Sequence, residues 1–154
     1  MSQHEAIPAL ATGRELHPSS VRADRPIGLD AIESIALGLA AAIGPLDAPP
    51  ARGQVHRHRI LATDAYDAWV VALGPQAAIE PHDHDGSIGF IAVTDGHLIE
   101  FGLDGDGQRR SRLRHLVTGD CTVVGITHRH SLANPDDRYA TTVQVFSPPL
   151  GHDV

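Results

Sequence analysis

The chain has 154 residues, 12 Lys and Arg against 19 Asp and Glu for a net charge of −7, and only 4% aromatic residues. That length fits one domain with one core, and the acidic, aromatic-poor composition offers neither a basic face for a phosphate backbone nor a stacking platform for bases, so no nucleic acid partner is expected. The single Cys121 excludes an internal disulfide framework.

Residues 1 to 26 are rich in Pro, Ser, His and charge without steady periodicity, which predicts an extended or partly disordered N-terminal arm. Glu5 and Pro8 interrupt what would be the basic and apolar regions of a signal peptide, and no apolar run approaches the ~20 residues of a membrane span. The expectation is a cytoplasmic protein with no membrane partner. Residues 27 to 52 form a second unit. Leu29, Ile32, Ile35, Ala36, Leu39, Ala40 and Ile43 recur at helical spacing and predict an amphipathic helix over 29–43. Gly44 is placed to terminate it, Pro45 cannot continue it, and a linker follows through Pro49 and Pro50.

From residue 53 to 154 the signals are those of short strands separated by turns. Strands are predicted at 54–62, 68–73, 79–83, 87–93, 97–103, 110–116, 121–125, 128–133 and 138–146. Asp95-Gly96 reads as a hairpin turn, and Gly105-Asp106-Gly107, Thr118-Gly119-Asp120 and Asn134-Pro135-Asp136 as further reversals. The fold class is therefore all-β, a small β-barrel with the N-terminal helix packed outside it.

The chemistry lies in His82-Asp83-His84 and in His130, with Asn134 four places on. Imidazoles one residue apart in an extended segment project to the same side, and a third from a distant strand closes a metal site on one face. Such a set accepts iron, nickel, copper or zinc and leaves coordination positions open. His128 shares the parity of His130, but only His130 has Asn134 at its spacing.

Gly74, His82-x-His84 and Gly96, followed by Gly119-Asp120 and His130-x-x-x-Asn134, resemble the two motifs of the cupin superfamily over about residues 53 to 150. Within it, residues 81–84 (PHDH), residues 145–150 (VFSPPL) and the preceding helix look most like the cysteine dioxygenase family of thiol dioxygenases, in a divergent bacterial-type form. The resemblance implies a cupin barrel holding Fe(II), with Ni or Zn as other candidates, on His82, His84 and His130. It further implies a small thiol amino acid, cysteine or a relative, oxidised by O2. The Glu that many cupins place shortly after the His-x-His is absent from residues 85–89, leaving an all-histidine set. Three neutral ligands leave a divalent ion its full charge, which suits an anionic thiolate.

An Arg on an early strand holds the substrate carboxylate in that family, and Arg57 and Arg59 share a strand face here. Arg57 fits the strand start, whereas Arg59 precedes the apolar Ile60-Leu61. The family's Ser, His and Tyr near the end of the last strand correspond to Thr142, Gln144 and Phe146, so a hydroxyl remains while the titrating and phenolic groups are gone. The Cys that some members crosslink to that Tyr corresponds to Gly89. With this outer shell the product need not be a simple sulfinate; oxidation with loss of carboxylate or amine is the variant expected. Two other readings remain: a non-redox metal cupin acting as isomerase or lyase, and a cupin that binds metal or ligand without catalysis. Trp69 and Cys121 read as packing residues, Tyr66 and Tyr139 as packing or surface residues. Glu80 and Asp83 are candidates to orient an imidazole, and His97, His115 and His152 read as rim or surface residues.

Overall fold

A computed structural model describes residues 26–103 and 110–150, without side-chain detail at Arg110 and Ser111. The arm expected over the first 25 residues, the turn at Gly105-Asp106-Gly107 and His152 lie outside the described residues. Among the described residues one helix, α1 (Leu29–Ala42), precedes nine strands: β1 (Val55–Ala62), β2 (Asp67–Leu73), β3 (Ala78–His82), β4 (Ile88–Asp95), β5 (His97–Leu103), β6 (Arg110–Val117), β7 (Cys121–Val124), β8 (His130–Ala133) and β9 (Ala140–Ser147). They form two antiparallel sheets, β1-β2-β9-β4-β7 and β3-β8-β5-β6, stacked face to face. No helix among the described residues is long and apolar enough to cross a membrane.

The helical stripe read from the sequence is the buried one. Ile32 and Ala36 are fully buried against Ala68, Phe90, Ala92, Val143 and Val145, and Leu29, Ile35, Leu39, Ala40 and Ile43 pack around them. The helix thus seals the outer face of the first sheet. Its end differs from the expectation: Ile43 already turns extended at φ −87°, ψ 120°, so the chain leaves without a left-handed glycine at position 44.

Period-two alternation builds the second core, between the sheets. Trp69, Val71, Leu73, Ile91, Val93 and Phe146 from the first sheet meet Ile79, Leu98, Leu116 and Leu132 from the second. All eight residues of β9 are buried because it is a central strand covered on both faces. Val143 and Val145 face the helix, while Ala140, Thr142, Gln144 and Phe146 face the barrel interior.

Asp95-Gly96 is not a hairpin. β4 pairs with β7 and β9, and β5 with β6 and β8, so this turn carries the chain from one sheet to the other. Gly96 still supplies the positive φ (87°) read from the sequence, and a Cβ there would lie 2.8 Å from the Cα of Ala140. The turn chemistry encodes a reversal; the choice of partner belongs to the faces that must be buried. The last-but-one strand is also shorter than expected, since His128 lies in the turn before β8, where its N–H donates to Gly125 O at 3.0 Å.

Candidate metal centre

β3 and β8 are neighbours in the second sheet, and their register sets His82 opposite His130 beyond an irregularity that follows Ile79. His84 comes two residues after His82, past the end of β3, in a segment turned by the positive φ of Asp85 and Gly86. The three imidazoles converge: ring centroids are 4.8 Å apart for His82–His84 and His82–His130 and 5.1 Å for His84–His130. One nitrogen from each lies within 4.8 Å of the other two. His84 and His130 are buried and His82 is half-buried.

The hydrogen bonds determine which nitrogens face the centre. His82 Nδ1 lies 2.8 Å from the carbonyl of Glu80, to which it can only donate. His130 Nδ1 lies 2.9 Å from Glu100 Oε1, and its buried Nε2 has no hydrogen-bond partner. A buried nitrogen lone pair without a partner is costly, and a divalent cation is the partner that three convergent imidazole lone pairs fit. The donor set therefore fits a metal ion. Asn134, the motif's last residue, does not reach it. Its amide donates to the carbonyls of Leu73, Gly74 and Arg138 and so braces the turn between β8 and β9.

Of the residues expected to orient an imidazole, Glu80 does so through its backbone carbonyl rather than its carboxylate. Asp83 instead accepts from the N–H of Asp85 at 3.2 Å. The carboxylate that does serve is Glu100, which the sequence reading passed over. It is 3% exposed on β5 and takes part with His128 and His130 in a second group of possible ligands. Burial opposes its charge, but hydrogen bonds from His130 and Arg114 outweigh that and hold its carboxyl down at about 2. His128 Nε2 stands 3.7 Å from Glu100, too far for a hydrogen bond, with the ring centroid 5.2 Å from that of His130.

A cavity of about 570 Å³ opens onto His82 and His84 and is lined also by Arg57, Val55, Ile79, Pro81, Asp83 and Leu150. Arg57 thus shares a space with the histidines, whereas Arg59 lies over the Trp69 ring at 5.3 Å and is not part of that lining. Phe146 is fully buried and stacks on His84, with centroids 4.5 Å apart and planes 21° from parallel. Thr142 and Gln144 share its interior face, but their hydrogen bonds run from Gln144 Nε2 to Thr142 Oγ1 and from Thr142 Oγ1 to Val71 O. They buttress the wall. His97 and His115 stack on each other, with His97 Nε2 and His115 Nδ1 3.0 Å apart.

Burial pushes both His82 and His128 below the ordinary histidine value. A group whose folded value is depressed takes up fewer protons in the native state, so its contribution to stability is full above the unfolded value and lost as pH falls towards the folded one. In the metal-free protein, NMR titration of His82 is therefore expected to give a midpoint below about 6.5. A midpoint at or above that value contradicts the burial described here.

No family model matches the chain. Among solved structures, it is similar to a conserved Klebsiella pneumoniae protein with a double-stranded β-helix domain, at 21% identity and a TM-score of 0.56 over 64% of this chain and 81% of that one. It is also similar to KdgF from Halomonas sp., at 20% identity and TM-score 0.53, covering 61% of this chain and 78% of the other. A sugar phosphate isomerase of the cupin superfamily from Silicibacter pomeroyi gives 26% identity and TM-score 0.50, covering 64% and 65%. With two antiparallel sheets, one covering helix among the described residues and convergent histidines, the chain has the small cupin fold and a possible metal site of its histidines and Glu100.

Proposed function

We propose that this cupin is a mononuclear Fe(II) oxygenase acting on a small thiol amino acid, cysteine or a relative, as its resemblance to the cysteine dioxygenase family implies. The observation that carries the reading is an all-imidazole group of which His82 and His84 line the same cavity as Arg57. Glu100 contacts the far nitrogen of His130 and is itself paired with Arg114, so it does not neutralise a bound cation. An uncompensated divalent ion beside a guanidinium favours a ligand with two negative ends, a thiolate and a carboxylate.

Bound iron would supply redox chemistry with dioxygen; the chain's residues supply the rest. Arg57 offers its fork to the carboxylate. His82 and His130 each keep Nδ1–H engaged, to Glu80 O and to Glu100, which leaves Nε2 for the ion. Ile79, Pro81 and Leu150 give the cavity an apolar side that limits water. Phe146 donates no hydrogen bond, so the wall beside His84 offers neither acid nor base. In balanced form, one thiol and one O2 give one sulfinic acid. An oxidation accompanied by loss of carboxylate or amine is the variant kept open by Phe146 standing where the family has a phenol.

The test is oxygen uptake by the iron-loaded protein with cysteine, cysteamine and 3-mercaptopropionate, with products identified by mass spectrometry. Uptake coupled to an oxidised sulfur product supports the reading; no uptake with any thiol rejects it. A non-redox metal cupin is the second reading, favoured by the likeness to the Silicibacter pomeroyi sugar phosphate isomerase. It predicts turnover of a sugar phosphate under argon, with zinc or manganese in place of iron.

Arg57 separates substrates by their carboxylate. A charge-assisted hydrogen bond contributes about 1.5–3 kcal/mol, so Arg57→Met is expected to lower kcat/KM for cysteine by roughly 10- to 100-fold. Cysteamine, which has no carboxylate, is expected to lose little. Equal losses for both would remove Arg57 from carboxylate binding and return Arg59 to consideration.

A further inference from the structure

Glu100 is a buried carboxylate whose part in the proposed chemistry is limited to its contact with His130 Nδ1. It shares the inward parity of Leu98 on β5, and the register of β5 and β6 sets it directly opposite Arg114. Carrying a charge into a barrel interior is expensive unless every lone pair is engaged. Here they are. Oε2 accepts from Arg114 Nη2 at 2.6 Å, Arg114 Nε at 3.0 Å and Thr122 Oγ1 at 3.3 Å, while Oε1 faces His130 Nδ1 at 2.9 Å. Arg114 is 28% exposed, so the chain of contacts runs from the solvent side of β6 to the innermost histidine of the metal centre.

An ionised carboxylate only accepts hydrogen bonds, so His130 must carry its proton on Nδ1 and leave its lone pair on the buried Nε2. The geometry points to Glu100 as a positioning residue that locks His130 in the Nδ1–H tautomer before any ion arrives, with Arg114 holding Glu100 in place to do so. The second possibility, that Glu100 is itself a ligand in a group with His128 and His130, fits less well. Both oxygens are committed, and His128 Nε2 is 3.7 Å away. His82 obtains the same tautomer from a backbone carbonyl. Thus two of the three imidazoles are preset by different acceptors, and Glu100 is the one a side-chain change can remove.

This inference rests on the metal-binding part of the proposed function and not on thiol oxidation. A protein that binds zinc normally but oxidises no thiol would end the oxygenase reading and leave this one standing. The test uses the metal-free full chain labelled with ¹⁵N at histidine. Long-range ¹H–¹⁵N spectra above pH 7 are expected to show His130 as a single Nδ1–H tautomer. Removing Glu100 alone would leave Arg114 unpaired, so the informative variant is Glu100→Leu with Arg114→Met, which removes both charges together. It is expected to show mixed His130 tautomers and zinc affinity reduced by roughly 10- to 100-fold in chelator competition. Glu100→Gln with Arg114→Met restores a neutral acceptor and is expected to recover the single tautomer and part of the affinity. A single unchanged tautomer with wild-type zinc affinity in the Leu/Met variant overturns the proposal. So does loss of all zinc binding in the Gln/Met variant, which would make Glu100 a ligand.

Discussion

Replacing His84 with Leu is expected to reduce the metal content of the purified protein from about one ion per chain to background, while the barrel remains folded. The substitution exchanges side chains of comparable size. His84 is 2% exposed and stacked on Phe146, so an apolar residue keeps the packing that an alanine would forfeit. What disappears is one of three nitrogens converging within 4.8 Å. The consequence is visible without activity. An ion present at 100 times its dissociation constant stabilises the wild type by about 2.7 kcal/mol, which for a domain of this size is a Tm rise of roughly 5–10 °C. His84→Leu is expected to show the same Tm with and without metal. A variant that still gains the wild-type increment would place the ion elsewhere, on the group of Glu100, His128 and His130 for instance.

The candidate metal ligands were legible because their motifs are local: His84 stands two positions after His82, and Asn134 four positions after His130. The strands were legible for the same reason, since period-two alternation is a property of about four to eight consecutive residues. Pairing is not local. Asp95-Gly96 has the composition of a hairpin turn, yet it joins two sheets, because β4 must lie between β7 and the fully buried β9. Glu100 was missed on similar grounds. Its parity with Leu98 was available as a signal, a charge on the core face of a strand. Its partners Arg114, Thr122 and His130 come from three other strands: the register of β5 with β6 and β8 brings Arg114 and His130, and the packing of one sheet on the other brings Thr122 of β7. The choice between Arg57 and Arg59 was open for a further reason. They share a face of β1, and what separates them is the Trp69 ring beneath Arg59 and the cavity beside Arg57.

Gly89 and Phe146 carry the second large effect. They are partners in the β4–β9 register, and a Cβ on residue 89 would sit 2.5 Å from Cε1 of the Phe146 ring. That ring cannot simply swing aside: it is fully buried, with His84 stacked on its face at 4.5 Å. Gly89→Ala is therefore expected to destabilise the protein by about 1–3 kcal/mol through overpacking. Phe146→Ala is expected to cost about 3–5 kcal/mol, because the vacated volume lies between two sheets that cannot close on it. The two changes oppose each other in volume. Gly89→Ala in a Phe146→Leu background is expected to cost less than it does in the wild type, a coupling of about 0.5 kcal/mol or more in a double-mutant cycle followed by urea unfolding. The same ring supports His84 from behind, so Phe146→Leu is also expected to weaken metal binding while leaving all three ligands present. Strict additivity of the two substitutions, together with unchanged metal affinity in Phe146→Leu, would mean that Phe146 fills the core without supporting the histidine.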